Sequence, residues 1–170
     1  MHRKGRQGMH AGSRNRILAI LLALLIAPVG AVSQMAPPFV KKHLYSTEAN
    51  PWSDISAAVK KAKVEKKRVI LDFGGDWCGD CQVLDIYMHQ SPNAELLEKH
   101  FIVVHVDIGH MDHNVAVAEK YKVPIKKGVP ALAVLDANGR LLYSQENKEF
   151  ENMREMKSSD VTQFLNRWKA

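Results

Sequence analysis

The chain has 170 residues, with 24 Lys and Arg against 18 Asp and Glu, and only two cysteines. That length supports one ordinary domain behind any leader and is large enough to build a core without a disulfide staple. Residues 1–33 hold five basic residues and no acidic one, so residues 34–170 keep a net charge of only +1, which excludes the one-sided basic surplus of a nucleic-acid footprint.

The leader comes first. Arg3, Lys4, Arg6, Arg14 and Arg16 precede an unbroken apolar run from Ile17 to Ala27, and Pro28, Gly30 and Ala31-Val32-Ser33 follow. A basic segment, a short apolar core and an A-x-S site describe a secretory signal peptide over residues 1–33, cut after Ala31 or Ser33. The apolar run is shorter than the roughly 20 residues a span needs, so the membrane is engaged only if the leader stays uncleaved as an anchor. Residues 34–49 then form an N-terminal extension, and residues 50–170 the folded domain. The expected location is exported, in a bacterial periplasm.

Asn50 as N-cap and Pro51 at the first position start a helix, with Trp52, Ile55, Val59 and Ala62 at helical spacing to about Lys66. Val69–Phe73 is a short apolar run read as a buried strand. Gly74 and Gly75 turn the chain into Trp77-Cys78-Gly79-Asp80-Cys81, and 82–90 reads as a helix that Ser91-Pro92 interrupts. A short helix resumes over 94–100, and Phe101–Asp107 is a second strand. After a polar connection over 109–114 come a helix over 115–121 and a third strand over 131–135. Asp136-Ala137-Asn138-Gly139 signals a hairpin, because Asn-Gly accepts positive φ, and it delivers Leu141–Tyr143 as an antiparallel fourth strand. Residues 145–157 are polar and irregular. Ser158 or Ser159 caps a last helix carrying Val161, Phe164, Leu165 and Trp168. The order α-β-α-β-α-β-β-α implies a mixed β-sheet with helices on both faces.

The cysteines carry the chemistry. Residues three apart on a helix are neighbours, within the Cα separation a disulfide accepts. A bridge closing so short a loop constrains the unfolded chain weakly, so the pair serves chemistry better than stability. Cys78, at the helix N-terminus, is placed where free N–H groups and the dipole favour a thiolate, making it the nucleophile. Cys81, one turn in, resolves the mixed disulfide. Two other readings stay open at this point: an inert bridge, and half of a zinc or copper site completed by His110, His113 or Met111, as in a metal carrier.

Val69–Asp85, together with Gly128-Val129-Pro130 and the closing hairpin and helix, resembles the thioredoxin superfamily, and most closely its exported thiol–disulfide oxidoreductases. The resemblance implies an α/β three-layer sandwich over about residues 50–168. It implies Cys78 as nucleophile, Cys81 as resolving thiol, a redox disulfide between them and Trp77 as the flanking indole. Asp72 stands where the family keeps a buried carboxylate that moves the second thiol's proton, and desolvation in an apolar strand would raise its pKa to suit that role. Pro130 matches the family's cis-proline, beside which the Val129 backbone would pair with an extended substrate segment. No cofactor and no bound metal are implied. Partners would be disulfide-containing exported proteins and, for a reductase, an electron donor at the membrane.

Several features depart from the family. Asp80 replaces the proline between the cysteines, Ile86 the proline that kinks the helix, and Gly74 a second tryptophan. Extra residues occupy 122–127 and 145–157, the latter a possible recognition surface in a catalytically idle binding domain. A carboxylate at Asp80 close to the Cys78 sulfur would oppose the thiolate, which favours a reductase over a strong oxidant.

Overall fold

The computed structural model describes residues 40–170, so the leader and the start of the extension lie outside the described residues. Four strands, β1 (Arg68–Gly74), β2 (Phe101–Asp107), β3 (Ala131–Leu135) and β4 (Leu141–Ser144), form one sheet in the order β2-β1-β3-β4. β1 runs parallel to β2, while β3 is antiparallel to both β1 and β4. Five helices complete the domain: α1 (Pro51–Glu65), α2 (Gly79–Met88), α3 (Asn93–His100), α4 (Val115–Lys120) and α5 (Ser158–Trp168).

Period-two alternation divides β1 between two cores. Val69, Leu71 and Phe73 join Ile55, Ala58 and Ala62 of α1 and Val117 and Ala118 of α4. Ile70 joins Leu84 and Met88 of α2 and Val161, Phe164 and Leu165 of α5. The result is the expected three-layer arrangement, with helices on both faces of a mixed sheet.

Differences from the sequence reading have local causes. The buried stripe of α1 is Pro51, Ile55, Ala58 and Ala62, so Trp52, one position off that stripe, stays exposed. In the β3–β4 connection only Gly139 takes positive φ, at 81°. The Asp136 carboxylate shapes that loop, accepting the N–H groups of Asn138 and Arg140. The cap of α5 is neither serine: Lys157 holds that position, its N–H donating to the Asp160 carboxylate at 2.8 Å. The Ser158 hydroxyl instead accepts from the buried Asn93 amide. The segment over 145–157 is anchored by the buried Gln145, Phe150 and Met153, while most of the residues between them are exposed.

Candidate active site

Cys78 is the N-cap of α2, with φ −81° and ψ 111°. Its Sγ accepts the Cys81 N–H at 3.1 Å, which aims the free end of the helix at the sulfur. The two Cα atoms are 5.3 Å apart and the residues are joined by a disulfide. Cys81 is fully buried, whereas Cys78 keeps slight surface access. Across from the pair the Val129–Pro130 peptide is cis, and the Val129 carbonyl oxygen lies 3.6 Å from Cys78 Sγ. The buried Gln145 amide fixes this loop, donating to the Pro130 carbonyl and accepting the Leu132 N–H, each at 3.2 Å.

Trp77 is 45 % exposed. Its Nε1–H donates to the Gly109 carbonyl at 2.6 Å, and its ring stacks on His110 with centroids 5.5 Å apart. His113 is engaged by Asp107, with Nδ1 2.7 Å from Oδ2. Neither histidine is brought to the cysteines as a ligand set, and among the described residues no cluster of three or more His, Cys, Asp or Glu is arranged to hold a metal ion.

Asp72 is buried at the centre of β1. One oxygen, Oδ2, accepts the Tyr45 hydroxyl at 2.8 Å and faces His105 Nδ1 at 3.0 Å. The other, Oδ1, has no partner among the described residues. Burial and the Asp72 charge hold the Tyr45 phenol well above its ordinary pKa, so it remains a donor. Burial opposes protonation of His105, but its hydrogen bond to Asp72 and the charges of Asp72, Asp85 and Asp76 raise its pKa on balance.

Sequence reasoning missed Tyr45, His105, Gln145 and Arg154. Tyr45 arrives from the stretch read as an extension: the Asp76 carboxylate accepts the N–H groups of Leu44 and Tyr45 at 2.8 and 3.0 Å. Gly74 makes the space, because a Cβ there would lie 2.6 Å from the Tyr45 hydroxyl and 2.8 Å from Cys81 Sγ. A Gly where the family carries an indole was the available signal for an aromatic ring arriving from elsewhere.

Asp80 requires a correction. It is not an uncompensated charge beside Cys78, because Arg154 binds it three ways. The Arg154 N–H and Nε donate to Oδ1 at 3.1 Å each, and a terminal guanidinium nitrogen donates to Oδ2 at 3.0 Å. Nothing in the local sequence pairs residues 74 positions apart.

A disulfide at a helix N-terminus, opposite a cis-proline on a four-stranded mixed sheet, defines a dithiol site of the thioredoxin fold. The family model described as thioredoxin-like matches residues 50–137. A disulphide isomerase structure from Xylella fastidiosa Temecula1 is 31 % identical, with a TM-score of 0.71 over 75 % of this chain and 98 % of that one. The chain belongs to the thioredoxin-like family of thiol–disulfide oxidoreductases. The C-terminal domain of Neisseria meningitidis DsbD in its oxidised form shares the fold, at 19 % identity and a TM-score of 0.51, over 75 % of this chain and all of that one. A thioredoxin H-type from Fagopyrum esculentum is 33 % identical over 78 residues, or 45 % of this chain, and the chain spans 58 % of the length of that curated relative.

Proposed function

We propose that this chain exchanges disulfides of exported proteins through Cys78 and Cys81, and that it runs as a reductase. The observation that carries the reading is the Cys78–Cys81 disulfide at the start of α2, with Cys78 Sγ 3.6 Å from the carbonyl beside the cis-proline. In the reduced protein the Cys78 thiolate attacks a substrate disulfide, forming a mixed disulfide and releasing one substrate thiolate, which takes up a proton. Cys81 then loses its proton, with Asp72 as the nearby carrier, and attacks the Cys78 sulfur. The second substrate thiolate leaves, and Cys78 and Cys81 end joined. The substrate gains two electrons, which a dithiol donor at the membrane must return to the pair.

The Val129 backbone beside the cis-proline is offered for strand-like pairing with a substrate segment, and the exposed Trp77 indole supplies an apolar platform beside it. Export rests on the basic and apolar pattern of residues 1–33; among the described residues no helix is long and apolar enough to cross a membrane. The reductase direction rests on modest thiolate stabilisation at Cys78. Its sulfur accepts a single backbone N–H among the described residues, whereas the ion pair on Asp80 works the other way, relieving that carboxylate's opposition to a thiolate. Disulfide isomerisation is the second reading, favoured by the likeness to the Xylella disulphide isomerase.

The test is trapping. Cys81→Ser in the exporting cell should accumulate mixed disulfides through Cys78 that reductant releases, and Cys78→Ser should accumulate none. Equal recovery from both variants would reduce the chain to a binding domain. Glutathione equilibration tests the direction: a reductase should poise nearer −270 mV than −120 mV, the values typical of thioredoxin and of a strong oxidant.

A further inference from the structure

The redox motif contains a buried acid that the proposed chemistry does not use. Asp80 lies between the cysteines in the first turn of α2 and is only 8 % exposed. Its partner Arg154 comes from the 145–157 segment, which is anchored on the same side of the sheet by the buried Phe150 and Met153. That segment also holds the other wall of the site: Gln145 fixes the Pro130 carbonyl, and Lys127 donates to the Glu146 carbonyl at 2.8 Å. One insertion therefore braces the cis-proline loop and supplies a cation to the motif.

A carboxylate two residues from Cys78 would, if left alone, act against a thiolate there. The guanidinium opposes that field, with two of its nitrogens bonded to the two oxygens and the Arg154 backbone N–H adding a third bond. Hydrogen bonding and the Asp80 charge raise the Arg154 pKa in turn. Glu155, next along the chain, is a further acidic neighbour of the guanidinium.

We infer that Arg154 is a positioning residue for the redox pair, and that by neutralising Asp80 it sets the acidity of Cys78 and the reduction potential of the Cys78–Cys81 disulfide. The inference rests on the oxidoreductase reading only for its biological meaning. The acidity of Cys78 is a property of the reduced protein whatever its substrate.

Two measurements on the purified full-length protein and its variants test it. The first is the equilibrium in which the disulfide and two glutathione thiols give the dithiol and one glutathione disulfide. The second is the Cys78 pKa, followed by thiolate absorbance. Arg154→Gln leaves Asp80 charged and without the guanidinium, so the Cys78 pKa should rise. The equilibrium should move about threefold to tenfold toward the protein disulfide, or about 15 to 30 mV more reducing. Asp80→Asn frees the guanidinium and should shift both readouts the opposite way. The double variant should return to within about twofold of wild type, the non-additivity expected of a coupled pair. Arg154→Lys keeps the charge and should keep the potential while losing the fork geometry.

A merely structural clamp would lower the melting temperature of Arg154→Gln without moving either readout, and that result overturns the inference. Should Arg154→Gln not fold, Asp80→Asn decides alone, since an unchanged or more reducing potential contradicts it. A wild-type disulfide that does not exchange with glutathione would overturn the oxidoreductase reading instead, and the Cys78 pKa of the reduced variants would still decide this one.

Discussion

His105 and Asp72 face each other directly across the parallel β1–β2 pairing, with Nδ1 3.0 Å from Oδ2. Asp72 is buried, and a buried carboxylate must be paired or hydrogen-bonded. His105 reaches the surface from the edge strand and gives that carboxylate a partially exposed neighbour, opposite the Tyr45 hydroxyl.

The pairing makes stability depend on pH. The pKa of His105 is raised in the folded chain, so its protonated form is favoured by folding. That contribution is fully present below the unfolded value of about 6.5 and is lost as pH rises through the folded value. Urea unfolding of the oxidised protein should therefore show the greatest advantage of wild type over His105→Gln near pH 6, shrinking toward pH 8 and above. The groups facing the ring are Asp72 and Tyr45, with Asp76 and Asp85 further off. An advantage that grows with pH would mean that the neutral imidazole is the one bound.

Gly74 and Tyr45 form one packing unit. A methyl at position 74 meets the Tyr45 ring at 2.6 Å and the Cys81 sulfur at 2.8 Å, so Gly74→Ala should destabilise by about 1–3 kcal/mol through overpacking. Adding Tyr45→Leu should recover part of that loss, and Tyr45→Phe, which removes the hydroxyl but keeps the ring carbon that lies equally close, should recover less. Alone, Tyr45→Phe removes a donor from a buried carboxylate and should cost about 1–3 kcal/mol. Denaturant midpoints of the four variants, all with the disulfide closed, give the comparison. Equal rescue by Phe and Leu would place the clash on the hydroxyl and not on the ring.

The sheet and the dithiol were legible because their signals are local. β-branched runs marked β1 and β2, Asn50-Pro51 marked the start of α1, and two cysteines three apart before a helical run marked the redox pair. Long-range pairing was not legible. Tyr45 meets Asp72 across 27 residues and Arg154 meets Asp80 across 74, and no periodicity encodes either contact. The 145–157 segment is polar and largely exposed, as its composition implies, and that composition hid the way Gln145, Phe150 and Met153 anchor it to the core. Charge counted along the chain made Asp80 look unpaired; charge counted in space does not.

Gln145 shows what that segment does for the site. Its side chain satisfies the Pro130 carbonyl and the Leu132 N–H together, which fixes the backbone on which Val129 is presented. Gln145→Leu should leave both groups unpaired in a buried setting and destabilise by about 1–3 kcal/mol. Reduction of a protein disulfide should fall more than equilibration with glutathione, because only the larger substrate uses the Val129 backbone. Equal losses on both would assign Gln145 to stability alone.

Trp77 offers the cleanest separation of substrate contact from sulfur chemistry. Its indole lies beside Cys78, half exposed, anchored by the bond from Nε1–H to the Gly109 carbonyl and by the His110 ring. Trp77→Phe keeps an aromatic face and loses the anchor. One hydrogen bond at about 1 kcal/mol corresponds to about a fivefold loss in kcat/KM for a protein disulfide. Trp77→Ala removes the apolar platform as well and should lose more. Neither change touches the N–H that Cys78 Sγ accepts or the Asp80–Arg154 pair, so the glutathione equilibrium should stay within about twofold of wild type. If the potential moves in step with the rate, the indole is tuning the sulfur and is not simply holding the substrate.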